Sequence, residues 1–250
     1  MMTNRTSFSP VSPYREKRPV SCKLIFVVCE GIATEIDYFQ KVIAKHFENI
    51  KTKIQVINIH NDILQKKHDD RTDEENKVLS SSNPKNLLEK MDKFISENER
   101  SYEFTKHDDE FWLIMDVDNH TSKENIESWN QVLDDCDKKV YKYAVSNPFF
   151  ELWLLLHHDD VKPEDFNYAV TENHPYEKTH HFRDRLRNLG VSLKNKKHIR
   201  NPDDYTKDKI MKAVERAELL DKNDERYPTN LGSTTYRLIK LLVEYDNSSE

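Results

Sequence analysis

The chain has 250 residues, which suits one sizeable domain, or one domain with an appendage, and allows a substantial core. Charged residues make up 34% of it, above the roughly 25% of an average domain, so a strongly hydrated surface is expected. The formal net charge of −6 argues against a protein that coats nucleic acid through overall basicity, but it is compatible with a local basic groove.

The sequence contains no sign of export or membrane insertion. No run approaches the roughly 18 apolar residues of a membrane helix, and the N-terminus lacks the apolar segment of a signal peptide. Cys22, Cys29 and Cys136 have no metal-finger spacing and fit small apolar side chains in a reducing compartment. We therefore expect a cytoplasmic protein without a membrane partner, in which residues 1–20 form a flexible lead-in.

Strands and helices are predicted to alternate over residues 21–159. Short apolar runs favour strands, and apolar residues at spacings of three and four favour helices between them. A polar stretch over 61–82 has too few apolar residues to pack and is predicted to be a mobile excursion. This order implies an α/β fold with a mostly parallel sheet and helices on both faces. The predicted strands are 24–30, 53–60, 109–118 and 140–146, and the predicted helices begin at Thr34, Pro84, Lys123 and Phe149.

After Asp159 the strand-like runs give way to helical patterns at 176–189, 202–221 and 233–246. We expect residues 160–250 to form a helical region that packs on the α/β core. The sequence leaves the oligomeric state open, a homo-oligomer included.

Carboxylates follow two of the predicted strands at the point where each strand ends. Glu30 ends the run KLIFVVCE, and Asp116 and Asp118 end FWLIMDVD. In a D-x-D at a strand end both side chains point the same way, because side chains along a strand alternate with a period of two. Three such carboxylates at one sheet edge need a cation, and Mg²⁺ or Mn²⁺ suits oxygen ligands. We predict that Glu30, Asp116 and Asp118 bind this metal and act in catalysis.

Asn147 and Glu151 follow the fourth predicted strand, at the same edge of the sheet. Asn147 before Pro148 has the pattern of a helix cap, which accounts for it structurally. Glu151 lies in the largely apolar helix FFELWLLL, where a carboxylate needs a partner because a buried unpaired charge is costly. That partner is either the metal site, directly or through another ligand, or a structural salt bridge.

A basic segment, HHFRDRLRNLGVSLKNKKHIR, occupies residues 180–200 of this otherwise acidic chain. A solvated helical face would explain part of it. A surface that contacts the phosphates of nucleic acid is the alternative we favour, with Arg183 and Arg187 on one helical face. The predicted phosphate-binding residues are Arg183, Arg187, Lys194, Lys196, Lys197 and Arg200.

Several of these motifs together resemble the RloB-like family, a group of Toprim-type proteins linked to restriction and abortive phage defence. The resemblance is carried by CEGIATEIDYF (29–39), the D-x-D at 116–118, SNPFFELWLLLH (146–157), Tyr205-x-Lys207 and YPTNLGSTTYRLIKLL (227–242). The sequence departs from the family pattern at Ile32-Ala33, where family members usually have more glycine or polar residues.

The resemblance implies a Toprim/Rossmann-like sheet with a Mg²⁺ site. Toprim domains place a Glu after the first strand and a D-x-D after a later one, which matches Glu30, Asp116 and Asp118. Similarity to the family also draws Glu35 and Glu151 towards the site. We expect Glu151 to act with the catalytic residues, and Glu35 and Asn147 to support them. Lys207 is then expected to help position the nucleic acid for catalysis.

Three functions are compatible with these residues. The favoured one is a metal-dependent endonuclease that acts on DNA or RNA in antiphage defence. The second is a regulatory or sensor subunit that works with a separate ATPase, because related systems include one and this chain has no phosphate-binding glycine loop. The third is a phosphotransfer or nucleotide-processing enzyme that uses the same acidic site.

Overall fold

The computed structural model describes residues 24–31, 33–47, 54–57, 72, 84–102, 109–117, 126–171, 180–191, 193–194 and 198–247. The lead-in over 1–20 and, apart from Thr72, the polar stretch over 61–82 therefore lie outside the described residues. The strands in chain order are Ile25–Cys29 (β1), Ile54–Ile57 (β2), Glu110–Asp116 (β3), Lys142–Asn147 (β4), Leu193–Lys194 (β5), His198–Ile199 (β6) and Gly232–Ser233 (β7).

The first helix, α1, covers residues 34–46 and changes geometry along its length. It begins as α-helix over Thr34–Asp37, widens to π-helix over Tyr38–Ile43 and returns to α-helix over Ala44–His46. The later α-helices are Pro84–Tyr102 (α2), Ile126–Lys139 (α3), Phe150–Leu156 (α4), His181–Asn188 (α5), Lys207–Leu220 (α6) and Thr235–Asn247 (α7), with 3₁₀ turns at Pro163–Tyr168 and Pro202–Asp204.

The main sheet has the strand order β2-β1-β3-β4-β7 in the described part of the chain. The first four of these strands run parallel, and β7 pairs with β4 in the antiparallel direction. The predicted α/β fold with a mostly parallel sheet is therefore confirmed.

Both faces of the sheet are covered, as the continuous apolar strands predict. In β1, Ile25, Val27 and Cys29 join the core on one face, while Phe26 and Val28 join the core on the other. Helices α1, α4, α6 and α7 pack on the first face, and α2 and α3 pack on the second.

The C-terminal region contains strands that the helical pattern did not predict. β7 extends the main sheet, and β5 and β6 form a small antiparallel pair. These strands are two residues long, too short for any alternation of apolar and polar residues to reveal them. The C-terminal region is thus mainly helical, as predicted, with three two-residue strands in addition, and the predicted division of the chain at residue 159 stays a prediction.

Candidate metal and nucleic-acid site

The carboxyl ends of β1 and β3 bring two of the predicted ligands together. β1 and β3 are neighbours in the sheet, with Cys29 opposite Ile114. Glu30 Oε2 accepts a hydrogen bond from the backbone N–H of Asp116, at 3.0 Å. Asp118 lies outside the described residues, so its place beside this pair stays a prediction.

Two further carboxylates, from the starts of α1 and α4, lie at the same edge of the sheet. Glu30, Glu35 and Glu151 are only 8%, 6% and 5% exposed, and we call these three together with Asp116 the acidic cluster. The pKa of Glu35 rises from 4.5 to about 7, chiefly because the carboxyl is buried. The nearby carboxylates of Glu151 and Glu30 add to the rise, whereas a backbone hydrogen bond and Arg183 oppose it. The cluster is therefore crowded enough for one member to hold a proton near neutral pH.

Gly31 makes room for the carboxylate of Glu35. A Cβ placed on Gly31 would lie 2.0 Å from Glu35 Oε2 and 2.3 Å from Oε1, far inside van der Waals contact. A side chain at position 31 would thus force the Glu35 carboxylate to move. From sequence we predicted a supporting role for Glu35, but we did not anticipate this contact.

We expect Gly31→Ala to destabilise the protein by about 1–3 kcal/mol, because the new methyl group must displace a buried carboxylate. Urea unfolding measures this loss, and Glu35→Ala in the same chain should remove most of it. Gly190→Ala is the matched control: its φ is 81°, and a Cβ there would meet nothing within 4 Å. Its cost is backbone strain, so Glu35→Ala should leave that cost unchanged. If Glu35→Ala reduced the cost of both glycine substitutions equally, the contact between Gly31 and Glu35 would not be the cause of the loss.

Glu151 has a salt-bridge partner from the C-terminal region. Its Oε1 accepts a hydrogen bond from Arg183 Nε at 2.6 Å, and a second guanidinium nitrogen lies at the same distance. Of the two partners that the sequence left open for Glu151, a salt bridge is present, and it lies at the acidic cluster. Arg183 was predicted to face phosphates together with Arg187, whereas the structure turns it towards Glu151.

His157 holds α4 against α1. Its Nδ1 donates to the carbonyl oxygen of Trp153 at 2.9 Å, so its Nε2 accepts from the Tyr38 hydroxyl at 3.0 Å. Burial lowers the pKa of His157 to about 3, which keeps the ring neutral. This contact fixes the helix of Glu151 relative to the helix of Glu35.

Asn147 has a structural place that differs from the predicted helix cap. It is the last residue of β4, and α4 begins at Phe150 with Phe149 at the cap position. The Asn147 amide donates to the carbonyl oxygens of Val170 and Pro228, and its oxygen accepts from the N–H of Val170. It therefore links the sheet edge to two C-terminal segments, next to the acidic cluster.

Lys207 lies far from the acidic cluster. Its ammonium pairs with Asp246 at 3.0 Å and lies 5.0 Å above the ring of Phe47. Phe47 follows the far end of α1, about 20 Å of helix away from the turn that carries Glu35. The predicted catalytic role of Lys207 is therefore not supported by its position, which is at the opposite edge of the sheet.

The remaining basic residues divide between a helix and a hairpin. Arg187 is exposed and pairs with Asp184 on its own helix, α5. Lys194 lies on β5, and Arg200 is exposed after β6. Lys196 and Lys197 lie outside the described residues. Their binding to nucleic acid stays a prediction.

The side-chain oxygens of the acidic cluster are all carboxylate oxygens, the type of donor that Mg²⁺ and Mn²⁺ prefer. Within the described residues, no group of three or more His, Cys, Asp or Glu side chains is arranged to hold a metal ion. The predicted triad includes Asp118, which is not among those residues. The described part of the chain also has no helix long and apolar enough to cross a membrane.

These features define an α/β protein with a buried acidic cluster at the carboxyl edge of a mostly parallel sheet. The family model described as RloB-like protein matches residues 25–242. The chain therefore belongs to the RloB-like family, as the sequence motifs predicted. Neither the curated proteins nor the solved structures include a significant match to it.

Proposed function

We propose that this protein is a Toprim-type endonuclease that depends on Mg²⁺ or Mn²⁺ and cleaves phosphodiester bonds of DNA or RNA. The observation that carries this proposal is the meeting of Glu30 and Asp116 at adjacent strand ends, beside the buried Glu35 and Glu151. Open α/β sheets bind their ligands at this edge. Membership of a family linked to restriction and abortive infection supports a role in antiphage defence.

In this proposal each residue of the acidic cluster has a distinct task. Glu30, Asp116 and Asp118 would hold the cation, which when bound supplies an activated water and neutralises charge on the phosphate. The hydrogen bond from the Asp116 backbone fixes one oxygen of Glu30. Glu35, with a pKa of about 7, can accept or release a proton near neutral pH. Arg183 holds the carboxylate of the neighbouring Glu151 in place through their salt bridge.

We expect Asp116→Asn to lower metal-dependent cleavage by about 100-fold or more, because it removes a charged ligand from the centre that polarises the phosphate. The assay uses labelled DNA, total RNA and tRNA with Mg²⁺ or Mn²⁺. Asp135→Asn changes a partly exposed carboxylate on α3, which packs on the other face of the sheet, and this matched control should cleave normally. A second readout is Mn²⁺-induced thermal stabilisation, which should be larger at pH 8 than at pH 5.5, since protons compete for carboxylate ligands.

Two results would count against this function. If Asp116→Asn cleaves as fast as the unmodified protein, the acidic cluster is not the catalytic centre. If no nucleic acid is cleaved with either metal, even with an ATPase partner added, the result favours the alternative that the protein is a regulatory subunit. A separate ATPase is the protein partner that the family resemblance leads us to propose, in a cytoplasmic defence complex.

A further inference from the structure

A cavity of about 480 Å³ lies beside β7. Its walls are the end of α6, the segment that leads into β7, and Phe166 from the 3₁₀ turn at Pro163–Tyr168. Proteins bind small molecules in cavities of roughly 300–1,000 Å³, so this one has the size for a single small ligand. Residues 228–233 of the motif YPTNLGS line it, and the proposed function gives that motif no task.

The cavity begins in the same row of the sheet as Asp116. Asp116 on β3 is opposite Ser146 on β4, and Ser146 is opposite Ser233 on β7, which lines the cavity. The hydroxyls of Ser146 and Ser233 are hydrogen-bonded at 2.9 Å, so their side chains share one face of the sheet. Neighbouring strands are about 4.8 Å apart, which places this wall of the cavity roughly 10 Å from Asp116. At a rise of about 3.4 Å per nucleotide, this is the length of about three stacked nucleotides.

Two exposed apolar side chains line the cavity. Phe166 is 44% exposed and Leu219, at the end of α6, is 73% exposed. Aromatic side chains with a free face are the surfaces on which proteins stack unpaired bases. The lining also offers hydrogen-bonding groups for the edge of a base, from the exposed side chains of Asn223, Thr229 and Asn230.

The same lining is unsuited to a phosphate group. Among the described residues that line the cavity, Lys222 is the one cation, against the acids Asp221 and Glu225. The cavity also adjoins the C-terminal end of α6, where the helix dipole repels anions. A free nucleotide would bring its phosphates to this end. A base within a strand leaves them outside, where the cation of the acidic cluster can neutralise them.

Hydrogen bonds hold the wall of the cavity in shape. Glu225 Oε2 accepts from the backbone N–H and the hydroxyl of Thr229, at 3.2 and 2.7 Å, and Asp221 Oδ1 accepts from the N–H of Glu225. The Asn147 amide donates to the carbonyl oxygen of Pro228 at 3.0 Å, which ties the same segment to the end of β4. The cavity is therefore preformed, and a preformed site loses less conformational entropy when it binds.

We propose that this cavity binds an unpaired base of a nucleic-acid strand whose backbone lies at the acidic cluster, with Phe166 as the stacking surface. The inference rests on the proposed function and deepens it, because it assigns a single-stranded or unpaired region as the substrate class. A base inside a duplex cannot enter, since its faces are stacked and its edge is paired until it is turned out of the helix.

Phe166→Ala should weaken the binding of a single strand about 10-fold, because stacking of a base on an aromatic ring contributes at least this much. Binding is measured by fluorescence anisotropy with short labelled DNA and RNA strands, in EDTA, so that cleavage is not needed. The slope of log affinity against log salt should stay unchanged, since no phosphate contact is lost. Affinity for the duplex of the same sequence should change less than about 2-fold, because its bases stay in the stack.

Two further variants separate the cavity from a general loss of apolar surface. Leu189→Ala is the matched control: Leu189 is 45% exposed at the end of α5 and is not among the described residues that line the cavity. It should bind strand and duplex as the unmodified protein does. Leu219→Gln, which keeps the helix propensity of α6, tests the cavity in case Phe166→Ala does not fold. It should weaken single-strand binding about 3-fold and leave duplex binding unchanged.

Strands that each lack one base locate the contact. With the unmodified protein, one position should lose about as much affinity as Phe166→Ala does. With Phe166→Ala itself, removal of that base should cost little more, because the base and the ring belong to the same interaction.

Each outcome of this experiment decides the matter. Unchanged single-strand binding by Phe166→Ala and Leu219→Gln overturns the base site and is the result expected if the cavity docks a protein. Equal losses for strand and duplex also overturn it, as does absence of binding by the unmodified protein. Displacement of the strand by an equal concentration of a nucleoside monophosphate would assign the cavity to a free nucleotide instead. Failure of the cleavage assay alone leaves the base site standing, and cleavage by a Phe166→Ala variant with unchanged affinity leaves only the proposed function standing.

Discussion

Arg183→Ala should destabilise the protein by about 2–4 kcal/mol at pH 7.5, because it leaves the carboxylate of Glu151 almost fully buried and without its counter-ion. The side chain of Glu151 is 7% exposed in this pair, and that of Arg183 is 33% exposed, which places the expected loss below that of a fully buried pair. Glu35 adds to the effect, since Arg183 lowers its pKa and the remaining carboxylates raise it. Urea unfolding measures the change.

Two comparisons isolate the cause of this loss. Arg187→Ala on the same helix removes an arginine whose partner, Asp184, is half exposed, so it should cost less than about 1 kcal/mol. Glu151→Gln combined with Arg183→Ala should recover much of the stability, because a neutral amide needs no counter-ion. If Arg183→Ala and Arg187→Ala behave alike, the Glu151 pair is not a stabilising element of the site.

The stability of the protein should fall as the pH rises from about 4.5 to about 7, owing to Glu35. The pKa of this carboxyl rises from its ordinary 4.5 to about 7 on folding, so the folded state holds a proton that the unfolded chain has already released. The stabilisation is fully present below about pH 4.5 and is lost as the pH passes about 7. A pKa difference of this size corresponds to about 3 kcal/mol.

Glu35→Gln tests this pH dependence, because the amide resembles the protonated acid at every pH. The variant should match the unmodified protein at pH 4.5 and exceed its free energy of unfolding by about 2–3 kcal/mol at pH 8. Glu164→Gln, on an exposed 3₁₀ turn, should keep the original pH profile. If the free energy of unfolding of Glu35→Gln changed with pH between 4.5 and 8 as that of the unmodified protein does, Glu35 would not be the group that holds the proton.

The sequence predicted the parts of the fold that repeat a local pattern. The four parallel strands and the α-helices follow from apolar runs and from three-and-four spacing, which depend on residues close together in the chain. The position of Glu30 beside Asp116 could also be expected, because both residues follow strands whose carboxyl ends meet at one edge. These features need no knowledge of distant packing.

Other features depend on contacts between distant segments and could not be predicted in the same way. Arg183 belongs to a basic run, and nothing near it in sequence shows that it turns inward to Glu151. Lys207 lies in a family motif, yet its neighbours Asp246 and Phe47 draw it to the opposite sheet edge. Gly31 could be recognised as special, although the reason for it, the Glu35 carboxylate, appears only in three dimensions.

The antiparallel strand β7 has a consequence for the order in which the protein can fold during synthesis. Ser233 of β7 joins its hydroxyl to that of Ser146, which is opposite Asp116 in the sheet. Arg183, which pairs with Glu151, also comes from the C-terminal half of the chain. The sheet edge around the acidic cluster is therefore completed by segments that are translated late. Contacts of such long sequence separation form slowly. Until these segments have left the ribosome, the sheet edge around Glu30 and Asp116 lacks its contacts with Ser233 and Arg183.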